Sequence, residues 1–212
     1  MKKIVVLISG QGATLQAIID ACKEKFFAAE ICAVISNKAE AFGLQRAAEA
    51  HIPTQCFLRK NYADNQAMDH AIGDYIEHLG ADLIVLAGYM KILSAEFTQR
   101  FAGKILNIHP SLLPKYPGLN TYQQALVAGD SEHGTTVHFV NEEVDGGAII
   151  LQAKVPIFAD DNIADIEQRV KVQEQQIYPL VIKWFVEDRL KLIKGLAYLD
   201  EQPLPAQGYA AD

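Results

Sequence analysis

The sequence predicts an α/β protein: a Rossmann-like, mostly parallel twisted sheet with helices on both faces and an antiparallel C-terminal extension. Three observations carry this. Short continuous apolar runs, rich in β-branched residues, are bounded by turns, as expected of strands buried on both faces. Segments with helical spacing alternate with them. After Pro117 the pattern changes to two alternating segments around an acidic, Gly-rich connection, which suits an antiparallel pair.

The elements follow in order. Residues 4–8 (Ile-Val-Val-Leu-Ile) are the first strand. Ser9-Gly10-Gln11-Gly12 is a turn, and 14–25 reads as a helix with Leu15, Ile18 and Ile19 on one side. Residues 31–35 give a second strand, 42–50 a second helix, and 53–58 suit a short third strand. Met68, Ile72, Tyr75 (or Ile76) and Leu79 recur at helical spacing before the strongest strand, 83–87. A short helix over 97–101 and a strand over 104–108 follow. The antiparallel pair spans 136–141 and 148–155. A long helix begins near Asp161 or Asn162, with Ile163, Ile166, Val170, Ile177, Val181 and Trp184 on its apolar face, and Pro179 is expected to bend or interrupt it. The tail from Gln202, with Pro203, Pro205 and Gly208, is expected to be irregular.

The 212 residues are expected to form one domain, 50% hydrophobic and 21% charged, which is ordinary globular composition. A net charge of −7 without a Lys/Arg run leaves no electrostatic footprint for nucleic acid or an anionic membrane. No stretch approaches the roughly 20 apolar residues of a membrane span. Cys22, Cys32 and Cys56 are odd in number and match no metal spacing, so they are read as reduced core thiols of a cytosolic protein.

Four features bear on chemistry. Gly10-Gln11-Gly12-Ala13-Thr14 joins the first strand to the first helix, where backbone N–H groups and the helix dipole suit an anion. Leu15 stands where a dinucleotide fingerprint needs a third glycine, and the P-loop lysine is missing, so the choice lies between a phosphate monoester and a plain tight turn. Asn107 and His109 are two apart at a strand end and project to the same side, so they suit either an oxyanion site or a structural role. Asp145 precedes Gly146-Gly147: alone it forms a turn, while beside His109 it would keep the imidazole protonated and receive a proton. Glu174 falls on the apolar stripe of the long helix, so it either contacts a substrate group or emerges into solvent. His133 and His138 flank a strand and suit packing or surface roles.

Together these residues resemble the folate-dependent glycinamide ribonucleotide formyltransferases. The resemblance runs from 4–10 through Leu86-Ala87-Gly88-Tyr89-Met90-Lys91-Ile92-Leu93, Asn107-Ile108-His109-Pro110-Ser111-Leu112-Leu113-Pro114 and Tyr116-Pro117-Gly118-Leu119. It continues through 133–140 and Asp145-Gly146-Gly147 to the ending 205–212. It implies a single formyltransferase domain over 1–212, with a ribonucleotide-binding part at about 1–100 and a catalytic, folate-binding part at about 85–190. The implied catalytic residues are Asn107, His109 and Asp145. Gly12, Ala13, Thr14 and Glu174 would hold the ribonucleotide. Tyr89, Met90, Lys91, Ile92, Leu93, Asn107, Val140, Glu142 and Val144 would line the folate pocket.

The implied co-substrate is 10-formyltetrahydrofolate, used without a metal and without an acyl-enzyme. The implied partners are small molecules, with no nucleic acid or membrane, in a monomer or homodimer. Some positions depart from the family pattern. Ala13-Thr14 replaces a familiar Ser-Asn, Lys91 an arginine, and Asn65 aligns with a position that can be basic. A tRNA-directed relative would need an added C-terminal domain and a basic surface, and a formyl-folate hydrolase an N-terminal regulatory domain.

Overall fold

The computed structural model describes residues 1–210, and the chain divides after Asn107 into two compact units. In residues 1–107 the elements alternate: β1 (Lys2–Ile8), α1 (Ala13–Lys23), β2 (Ala29–Ser36), α2 (Phe42–Glu49), β3 (Thr54–Cys56), α3 (Asn65–Leu79), β4 (Leu83–Leu86) and α4 (Ala95–Arg100). The strand β5 (Ile105–His109) runs through the division. β1 pairs in parallel with both β2 and β4, β2 with β3, and β4 with β5. Ile4, Val5, Val6, Leu7 and Ile8 are fully buried, which is why the first strand reads as an unbroken apolar run.

The order reverses at β1, whose successor β2 lies to one side while β4 lies to the other. Open parallel sheets bind ligands at such a switch point, outside the carboxyl ends of the strands. Register makes that edge concrete: Leu7 is opposite Leu86, and Leu86 is opposite Asn107. The loops after β1 and β4 therefore leave from one edge, which also carries Asn107.

Residues 108–210 add α5 (Thr121–Ala128), β6 (Glu132–Phe139), β7 (Ile149–Pro156), α6 (Ile163–Val186), β8 (Leu190–Ile193), β9 (Leu196–Leu199) and β10 (Gln202–Pro203). β6 and β7 are antiparallel, with a register shift between Val137 and His138. The large sheet reads β3-β2-β1-β4-β5-β6-β7, and β10-β9-β8 form a second, antiparallel sheet. The predicted fold class is the observed one.

Two expectations need correction. Pro179 does not interrupt α6, which continues through it as one element. An interior proline costs about 3 kcal/mol. The same helix buries Tyr178, Val181, Ile182 and Trp184, each gaining about 1.5–3 kcal/mol, so packing outweighs the lost hydrogen bond. An Asn162/Asp165 capping box starts it where the sequence places the start. The tail is also more ordered than expected. Gln202 and Pro203 pair with β9, Tyr209 N–H donates to the Ile150 carbonyl at 2.7 Å, and the Tyr209 ring meets Trp184 edge-on at 5.3 Å. Ala211 and Asp212, which close the matched ending, lie outside the described residues.

Gly147 shows what the Asp-Gly-Gly sequence is for. A Cβ there would collide with the Phe139 carbonyl, so the chain returns into β7 by passing close over the end of β6. Gly147→Ala should therefore lose about 2–4 kcal/mol of stability. Gly10→Ala, where a Cβ meets nothing within 4 Å, should stay within about 0.5 kcal/mol of the parent. Denaturant melts of the two variants test the contrast.

Candidate active site

The loop after β1 is an open cradle of amides. Gly12 is the N-cap of α1 at φ 77°, a left-handed conformation that favours glycine, and a Cβ there would sit 2.7 Å from the Gly43 Cα. No side chain caps the helix. The first-turn N–H groups of Ala13 and Thr14 therefore have neither a cap nor an intrahelical partner, the arrangement that suits an anion.

Ser9 ties this loop to the one after β4. Its N–H donates to the Gly88 carbonyl at 3.1 Å, and its hydroxyl accepts from Met90 N–H at 2.8 Å. In that second loop Tyr89 and Leu93 are buried, while Met90 and Ile92 are 63% and 70% exposed. Lys91 is not a free cation: its ammonium is paired with Asp69, a carboxylate 1% exposed that also accepts from Ser94 N–H at 2.7 Å. Burial pushes the Tyr89 phenol up. Half-buried Asn107 completes this edge on β5.

In the second unit His109 and Asp145 come together. His109 is 6% exposed. Its Nδ1 lies 3.5 Å from Asp145 Oδ2, and its Nε2 lies 2.8 Å from the Tyr116 carbonyl oxygen. Both ring nitrogens thus face oxygen atoms. Asp145 has a left-handed backbone at φ 53°, its side chain is 9% exposed, and Oδ2 accepts from Gly118 N–H at 2.8 Å. A carboxylate this deeply buried needs such partners.

Glu174 is buried, not at the solvent boundary. Its Oε1 lies 3.4 Å from the Thr135 hydroxyl, and that hydroxyl also reaches the His109 carbonyl at 2.9 Å. The Thr135 hydroxyl donates to both oxygens, and its single proton favours the shorter contact, so the bond it gives Glu174 is weak. Burial pushes the Glu174 carboxyl up to about 7, outweighing that hydrogen bond, which favours the ionised form.

Sequence reasoning missed two members of the group. His138 is expected at the surface or in packing, yet its Nε2 lies 3.8 Å from Asp145 Oδ1 while its Nδ1–H donates to the Phe139 carbonyl at 2.8 Å. Burial pushes its imidazole down. Thr135, the link between Glu174 and His109, carries no local signal beyond the alternation of β6. His133 does pack, between the rings of Tyr116 and Tyr122 at 6.3 and 5.4 Å. Val140 is half-buried, Glu142 exposed and Val144 49% exposed on the segment leading to Asp145. Among the described residues no group of three metal-binding side chains occurs, and no helix is long and apolar enough to cross a membrane.

Comparison with known proteins bears on what this arrangement does. The formyl transferase family pattern matches residues 2–182. The chain is 70% identical over 210 residues to the phosphoribosylglycinamide formyltransferase of Haemophilus influenzae, covering 99% of each chain. It is 56% identical over 209 residues to the Escherichia coli enzyme of the same name, again covering 99% of each. Its structure matches that of the phosphoribosylglycinamide formyltransferase of Coxiella burnetii with a TM-score of 0.95, at 44% identity over 98% of both chains.

The raised Glu174 pKa makes stability depend on pH. The unfolded chain ionises this group near 4.5, whereas the folded chain holds the proton to about 7. Between those values the native state binds more protons than the unfolded state, so stability falls as pH rises through the window and levels off above it. Glu174→Gln, which cannot ionise, should gain on the parent by about 1–3 kcal/mol between pH 4.5 and pH 8. Paired denaturant melts at the two pH values measure this.

Proposed function

The chain belongs to the formyl transferase family, and from that premise we propose that it moves the formyl group of 10-formyltetrahydrofolate onto the amine of glycinamide ribonucleotide. The products are formylglycinamide ribonucleotide and tetrahydrofolate, a step of purine biosynthesis. We read the whole of 1–212 as one catalytic domain working on small molecules in the cytoplasm. The observation that carries this reading is the buried His109–Asp145 pair at the end of β5, two residues beyond Asn107.

The roles follow from donors and charges. The neutral glycinamide amine attacks the formyl carbon, a C–N bond forms, and the carbonyl electron pair moves onto oxygen. That oxygen needs donors where its charge develops. The Asn107 amide and the His109 Nε2–H supply them, the latter once it gives up the Tyr116 carbonyl. Asp145 faces the other ring nitrogen, which favours the imidazolium and lets the pair accept the proton released by the attacking amine. The intermediate then collapses by breaking the bond to the folate nitrogen, which leaves with a proton. No bond to the protein is formed.

Binding is assigned on the same physical grounds. The amides of Gly12, Ala13 and Thr14 suit the ribonucleotide phosphate, and Glu174 suits the glycinamide portion, whose polar groups lower the cost of a buried carboxyl. Met90, Ile92 and Val144 are exposed apolar residues of the kind a flat heterocycle covers. Tyr89, Leu93, Asn107, Val140 and Glu142 complete the folate assignment. Lys91 takes part through its position in the loop, since Asp69 already neutralises its charge.

Spectrophotometric turnover of a 10-formyl-folate donor tests the assignment. Folate release is expected only when glycinamide ribonucleotide is present, whereas release without it would make the protein a hydrolase. His109→Ala and Asp145→Asn should each lower kcat by roughly 10²–10⁴-fold while ribonucleotide binding stays within a few fold. Near-normal rates in either variant would remove the mechanism.

A further inference from the structure

Helix α2 contacts the backbone of the glycine loop, not the ligand position. Gly43 N–H donates to the Gly10 carbonyl at 3.0 Å, and the Arg46 Nε–H donates to the Gln11 carbonyl at 2.7 Å. Two successive loop carbonyls are therefore turned towards α2. In a trans peptide the C=O and the following N–H point in opposite directions. Fixing the Gly10 carbonyl directs the Gln11 N–H away from α2, and fixing the Gln11 carbonyl does the same for the Gly12 N–H. These amides immediately precede those of Ala13 and Thr14 at the start of α1.

Arg46 is itself held in place. Its guanidinium lies over the Phe42 ring at 4.9 Å, its Nη1 reaches Gln16 Oε1 at 3.5 Å, and its Cδ lies 3.3 Å from where a Gly12 Cβ would be. The close approach of Gly12 to Gly43 is what lets a side chain one turn along α2 reach the loop carbonyl. Ala13 contributes no hydroxyl of its own, so backbone aim must carry more of the phosphate recognition.

We propose that Arg46 is a positioning residue for ribonucleotide binding, one that aims the amides of the glycine loop at the phosphate by clamping the Gln11 carbonyl. The proposal rests on the reading of that loop as the phosphate site. Arg46 serves the phosphate end of the substrate and not the formyl transfer, so its loss acts on KM and leaves kcat.

The experiment compares glycinamide ribonucleotide with its dephosphorylated riboside, the riboside measured as substrate or as competitive inhibitor, in the parent protein and in Arg46→Met. Methionine keeps an apolar stem over Gly12 and removes the donors. The expected result is a roughly tenfold rise in KM for the ribonucleotide, the worth of one well-placed hydrogen bond, with kcat within about twofold. Affinity for the riboside should not change, which also shows that the variant is folded. The loss should persist in about 0.5 M salt, where a merely distant charge is screened. An Arg46→Met protein that keeps its full preference for the phosphorylated substrate overturns the inference and leaves the site assignment standing. A loss that disappears at high salt overturns it as well, in favour of long-range attraction. If the parent itself does not distinguish ribonucleotide from riboside, the loop is not the phosphate site and the reading beneath the inference fails with it.

Discussion

The Asp145 carboxylate is nine-tenths withdrawn from water, and a charge in that position must be met by protein groups or it will not stay charged. Much of the second unit around it can be understood from that requirement. The left-handed backbone at Asp145 aims the carboxylate back towards β5, Gly118 supplies a backbone donor, and His109 places a ring nitrogen 3.5 Å away. His138 stands on the far side, made a poor cation by its own burial. The tight passage of Gly147 over Phe139 lets the acidic connection fold close enough for the pair to form.

Glu174 resolves the same problem in the opposite way. Its hydrogen-bond partner is the Thr135 hydroxyl, which also donates, at shorter range, to the His109 carbonyl. Burial is then offset by keeping the proton. Two carboxyl groups of one unit thus meet burial with different partners. Thr135 matters because it touches both systems and transmits the position of one backbone to the other side chain.

Much of this was legible in the sequence. The parallel core was, because strands buried on both faces must be continuously apolar. The strand that carries Asn107 and His109 was, because its apolar run ends within a residue of the observed limit. The second strand of the antiparallel pair and the start of α6 were within a residue or two of their observed limits, whereas β6 begins four residues earlier than expected. Less was visible where distant contacts outweigh local preference. Pro179 signals a break that the buried face of α6 overrides. The hairpin of β8 and β9 is short and half-exposed, so its alternation is weak, and α5 shows no apolar period at all. His138 looked like an ordinary strand residue because its partner is supplied by a turn whose direction no local rule specifies.

Lys91 shows most clearly why residue type alone cannot assign a ligand. In sequence it is a basic residue inside a pocket motif, and a basic residue there invites an anionic partner. In three dimensions Asp69, 22 residues earlier on α3, already holds the ammonium and at the same time accepts from the Ser94 N–H that begins the next helix. Removing the lysine would leave Asp69 buried without its cation, and removing the aspartate would release both the lysine and the start of α4. The pair is best understood as a brace for the loop after β4, with Met90 and Ile92 left exposed on either side of it. Arg46 stands in the same relation to the loop after β1. At both strand ends the cation bonds to protein groups and so holds the loop in place.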